Sequence, residues 1–155
     1  MRVFLLFLFV TLSLSAQHIL PLRERAAAIE AVQEERLNTL LPKLMAENDL
    51  DLWVLITREY NEDPVVRTLL PPTWLSARRR TILVFAKDPK TGAVERVAMT
   101  RYAFGKFFPS VWNKEKQPDQ WQALADYILA KAPKKIGINT SEGYGIADGL
   151  AHTDY

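Results

Sequence analysis

Residues 51–64, DLWVLITREYNEDP, decide the fold. They open on an unbroken apolar run, Leu52-Trp53-Val54-Leu55-Ile56, and turn abruptly polar at Thr57-Arg58-Glu59-Tyr60-Asn61-Glu62-Asp63. A short run of β-branched and aromatic residues without strict alternation is the pattern of a strand buried on both faces. Polar residues just past the end of such a strand are where an α/β protein keeps the groups that touch ligands or partners.

Upstream of that strand, residues 23–48 carry a helical pattern. Ile29, Val32, Leu37, Leu40, Leu41 and Leu44 recur at spacings of three and four, which predicts one face packed on a sheet. Glu30, Glu34, Glu35 and Arg36 fall on the other face. Pro42 lacks an N–H and is expected to kink or restart the helix, and Asn48-Asp49 to end it.

Downstream, residues 64–70 read as an irregular or short helical segment, broken at Pro71-Pro72. A second strand is expected at 81–86 and a third, less buried, at 94–100. The Pro/Gly-rich loop between them makes the two an antiparallel hairpin. Residues 117–132 read as an amphipathic helix with Pro118 in its first turn and Trp121, Leu124, Ala125, Ile128 and Leu129 inward. A fourth strand is expected at 134–139 and a last helix at 144–152, capped by Thr140-Ser141-Glu142. The order predicts an α/β fold, a mixed sheet of at least four strands with helices packed on its faces. The sequence stops inside the last helical pattern, so the domain, 23–155, is expected to be truncated at its C-terminal end.

The chain of 155 residues is long enough for one domain with a real core, and its 48% apolar and 25% charged residues are ordinary for a globular protein. A net charge of +2 gives no nucleic-acid footprint. The absence of cysteine excludes disulfides, thiolate metal sites and a cysteine nucleophile. Arg2, the apolar run 3–14 and the small residues Ser13, Ser15 and Ala16 read as a signal peptide over 1–16, followed by a linker at 17–22. That implies export to the periplasm or beyond. The alternative is an uncleaved anchor, although the run falls short of the roughly 20 apolar residues that span a bilayer.

No catalytic or metal-ligating set emerges from the residues. The histidines, His18 and His152, have no second ligand at useful spacing. Glu59, Glu62 and Asp63 sit beside Arg58 and Arg67 and read as a solvated, salt-bridged loop. Ser76, Ser110 and Ser141 lack a nearby histidine and a nucleophile elbow. The glycines Gly143, Gly145 and Gly149 are spaced one residue too far apart for a dinucleotide loop. Arg78-Arg79-Arg80 precedes the second strand. It reads either as a solvated strand entrance protecting an edge, or as recognition of carboxylates or of a second subunit. Trp74, Tyr102, Phe104, Phe107, Phe108 and Trp112 crowd the connections, as core or as interface.

Five segments taken in order carry a resemblance: REYNEDP at 58–64, WLSARRRTILVF at 74–85, RYAFG at 101–105, Trp112-Asn113 with QPDQW at 117–121, and KKIGIN at 134–139. Together they resemble the N-terminal domain of exported bacterial Xaa-Pro aminopeptidase-like proteins, of the creatinase/prolidase/aminopeptidase P family of pita-bread metallopeptidases. The resemblance implies a creatinase-type α/β domain. It also implies a separate C-terminal catalytic domain, holding two divalent ions (Mn, Co or Zn) on two aspartates, a histidine and two glutamates, that cleaves the bond before proline in short peptides. No segment here matches that ligand set, so this chain is expected to bear no catalytic residue and no metal of its own. The family's N-terminal domain implies homo-oligomer contacts and a border to the active site. By strand-end position, Arg58, Tyr60, Arg78, Arg101, Tyr102 and Trp112 are the candidates for gating or subunit contact. Two alternatives stay open: a stand-alone exported binding module, and the domain of a family member acting on another amide.

Overall fold

The computed structural model describes residues 19–143. The signal-peptide stretch, His18, the helix expected at 144–152 and the glycines Gly145 and Gly149 lie outside the described residues, as does His152. None of the described helices is long and apolar enough to cross a membrane.

The sheet has four strands: β1 (Leu52–Arg58), β2 (Arg80–Lys87), β3 (Val94–Ala98) and β4 (Ile136–Ile138), in the spatial order β3-β2-β1-β4. β1 runs antiparallel to β2 and parallel to β4, and β2 and β3 form the expected hairpin, so the sheet is mixed. As its unbroken apolar run requires, β1 is covered on both faces. Leu52, Val54 and Ile56 join Ile82, Val84, Val97 and Met99 on one side, and Leu55 joins Leu83 and Phe85 on the other. Register places Leu55 opposite Leu83 and Trp53 opposite Phe85, whose rings lie 5.3 Å apart. Such cross-strand pairs are the unit of sheet stabilisation.

The first helical pattern resolves into α1 (Leu22–Glu35), a π-helical turn (Arg36–Leu40) and α2 (Leu41–Glu47). Pro42 explains the break. It has no N–H to give, and its ring crowds the carbonyl four residues back, so the chain widens into a π turn and restarts with Pro42 in the first turn of α2. The buried face overlaps the expected one only at Leu37 and Leu41. Gln33, Leu37, Leu41 and Met45 point inward, while Ile29, Val32, Leu40 and Leu44 are exposed. Two apolar rows one residue apart compete, and the wider turn carries the row 33-37-41-45 onto the sheet. Gln33 is polar and so lies outside any apolar periodicity. Its Nε2 donates to the carbonyls of Thr68 (3.0 Å) and Leu70 (2.8 Å), satisfying the end of the short helix α3 (Pro64–Leu69).

The other sheet face is covered by α4 (Gln120–Lys131). It starts later than expected because Asp119 is the better cap. Its Oδ1 accepts from the amides of Trp121 (2.8 Å) and Gln122 (3.4 Å), leaving Pro118 ahead of the helix. Leu124 is buried, and Trp121, Ala123, Tyr127 and Ile128 pack beside it. Ala125 and Leu129 instead face solvent. Burial, and then Glu95, which accepts from its hydroxyl, push the ionisation of Tyr127 upward. β3 and β4 are shorter than expected, and Ile136 and Ile138 stay partly exposed on β4, an edge strand among the described residues. Asp51 ties that edge down by accepting from the amides of Lys134 (2.9 Å) and Lys135 (3.2 Å). The Lys134 amide foremost lowers its ionisation.

Candidate functional site

The three longer strands end at one cleft. The C-terminal ends of β1 and β3 and the start of β2 meet the first residue of α4, Gln120. Its Nε2 donates to the carbonyls of Met99 (2.6 Å) and Arg80 (3.3 Å). The cleft has a volume of about 1020 Å³. All six residues singled out from strand-end position line it: Arg58 and Tyr60 past β1, Arg78 before β2, Arg101 and Tyr102 past β3, and Trp112 on the way to α4.

Two buried carboxyls hold the loops in place, which corrects the solvated, salt-bridged reading of residues 59–63. Glu62 Oε1 accepts from the amides of Tyr60 (3.1 Å) and Ala77 (2.8 Å), tying the loop after β1 to the loop before β2. Asp63 Oδ1 caps α3 through the Val65 amide (2.7 Å), and its Oδ2 accepts from Asn139 Nδ2 (2.8 Å). Asn139 in turn accepts from Trp53 Nε1 (2.9 Å), which links the loop to the core. Glu59 is exposed and clasps the backbone: its own amide donates to the Arg79 carbonyl (2.8 Å), and its Oε2 accepts from the Arg79 amide (3.0 Å). Loop amides that would otherwise need water are therefore satisfied within the chain.

The arginine run is not edge protection, because β2 is an interior strand. Arg80 lies in register with Arg58 on β1, a placement of like charges that sheet stability disfavours. Its guanidinium stacks 4.4 Å from the Trp121 ring, and its buried Nε has no hydrogen-bond partner among the described residues. An unpaired buried donor of this kind costs about 1–3 kcal/mol. Arg78 stacks 5.2 Å from the Trp74 ring and 5.9 Å from that of Tyr102.

The aromatic residues divide. Phe104 and Phe108 are core, in edge contact with each other and, through Phe108, with Phe85. Trp74 sits edge-on to Phe104 (5.3 Å) and so carries this stack from the core out to Arg78. Trp112 is anchored by its Nε1, which donates to the Gln117 carbonyl (2.7 Å).

Two lining residues have left-handed backbones without being glycine, Tyr60 (φ 63°) and Arg79 (φ 51°). Tyr60 is also 82% exposed, so neither packing nor backbone preference accounts for a tyrosine there. Strain of this kind concentrates at functional sites.

The six candidates named from strand-end position gather at this cleft, and their supports are not among the residues that sequence reasoning singled out for it. Glu62 looked like any surface acid, Gln120 like any helix start, and Trp74 was one aromatic among several. Among the described residues no group of three or more histidines or acids is arranged to hold a metal ion. No family model, curated protein or solved structure matches the chain.

Proposed function

We propose that this chain is the substrate-gating and oligomerisation domain, creatinase-type in fold, of an exported metallopeptidase that hydrolyses Xaa-Pro bonds. One observation carries the reading. Four of the five segments that resemble the family, at 58–64, 74–85, 101–105 and 112–121, contribute side chains to one cleft although they are far apart in sequence. A mixed α/β sheet is the architecture the resemblance implies. In the complete enzyme the cleft faces the catalytic domain or a neighbouring subunit. Arg58, Tyr60, Arg78, Arg101, Tyr102 and Trp112 form the border that admits short proline-containing peptides.

The described residues do not fit the family's two-metal centre. The Mn, Co or Zn pair is proposed for the separate catalytic domain that the resemblance implies, and no chemical step is assigned to this chain. Export rests on the leader-like stretch 1–16. The test is Arg58→Ala with Tyr60→Ala in the protein joined to its catalytic domain. Reduced kcat/KM on Xaa-Pro peptides, or an altered oligomeric state by sedimentation, is expected. Both quantities unchanged would sink the proposal. A stand-alone exported binding module is the second reading, favoured because four separate segments of this one domain converge on the cleft.

A further inference from the structure

We infer that the strand-end cleft is itself a binding site for a carboxylate carried on an aromatic or apolar body. The charge balance is the first ground. Among the described residues Arg58, Arg78, Arg79, Arg80 and Arg101 line the cleft with one acid, Glu59, and that acid already accepts from the Arg79 amide. Among the described residues, Arg78, Arg79, Arg80 and Arg101 have no carboxylate partner. These four cations, gathered in one concavity with no described counter-charge, repel one another, and a bound anion relieves that repulsion.

The second ground is the kind of donor on offer. Anion sites that favour phosphate commonly use a nest of loop amides. Here the amides of Tyr60 and Ala77 are engaged by Glu62, and that of Arg79 by Glu59. The guanidinium groups that line the cleft are planar forks that match a carboxylate with two parallel hydrogen bonds, and the size and apolar wall of the cleft favour an organic acid over an inorganic phosphate. Arg78 carries one of these. Its guanidinium lies 5.2 Å from the Trp74 ring and 5.9 Å from that of Tyr102, contacts that restrict its position in the cleft. At Arg80 a buried donor is left without a partner beside the same space.

The third ground is the wall. At about 1020 Å³ the cleft is far larger than an inorganic anion. Leu75, 99% exposed, and the strained, exposed Tyr60 present apolar surface to it. Small-molecule sites combine such apolar lining with a few placed polar groups. The inference rests on the cleft's own donors and not on the peptidase reading, so failure of one is distinguishable from failure of the other.

The test is calorimetric titration of the 155-residue chain with N-acetylphenylalanine, its C-terminal amide, and inorganic phosphate. The acid is expected to bind, and to weaken as salt is raised. The amide is expected to bind at least about tenfold more weakly, the equivalent of one charge-assisted hydrogen bond, and phosphate to bind more weakly than the acid. Arg78→Gln and Arg101→Gln should each weaken the acid about tenfold. Arg67→Gln, outside the cleft, should leave affinity unchanged. Far-UV circular dichroism confirms that each variant is folded, and either cleft variant alone suffices. Four results would each overturn the inference: no binding of the acid, equal binding of acid and amide, phosphate binding more tightly than the acid, or full affinity in a folded cleft variant.

Discussion

Strand β1 joins two regions built on opposite terms. Inside the sheet, Val54 and Leu55 of β1 have apolar neighbours above and below and matched partners across, and nothing about them is strained. A few residues on, the same strand runs into Arg58, set opposite another arginine, and then into Tyr60, exposed and left-handed. The first region is organised as stability requires. The second is organised against it and is held by buried carboxyls. A chain that keeps such a region in place at a cost is maintaining a surface for something other than its own folding.

Substitutions should separate the two regions. The largest effect is expected at Leu55→Ala. Removing a side chain 1% exposed at the centre of the sheet should cost about 2–5 kcal/mol, read as a lower urea midpoint. Glu62→Ala should come next. It strips two loop amides of their acceptor and should cost about 1–3 kcal/mol, with Glu62→Gln costing less because it keeps a carboxamide oxygen. The smallest effect should have the opposite sign. Tyr60→Gly relieves a left-handed backbone but adds freedom to the unfolded chain, leaving a net gain of up to about 1 kcal/mol. A clear loss of stability at Tyr60→Gly would mean that the tyrosine is structural, and the contrast would fail.

Much of the fold was legible because periodicity and breakers are local. The β1 run, the β2–β3 hairpin and the break at Pro42 all follow from adjacent residues. The inward face of the first helix was not legible. It depends on a π turn and on Gln33 finding carbonyls at Thr68 and Leu70, far along the chain. The site shows the same division. Strand-end position located Arg58, Arg78 and Arg101, since strand ends are set by local pattern. The supports that hold them, Glu62 to Ala77 and Gln120 to Met99, join segments whose meeting only the tertiary fold decides.

The proposal with most at stake is that this chain belongs to a proline-specific metallopeptidase. The most direct measurement is to express the coding sequence through its stop codon and assay the product on short Xaa-Pro peptides with Mn, Co or Zn. The account predicts cleavage before proline that chelation abolishes, from a product carrying two aspartates, a histidine and two glutamates beyond Tyr155. A coding sequence that stops at Tyr155, or a metal-loaded product that leaves Xaa-Pro peptides intact, would contradict it.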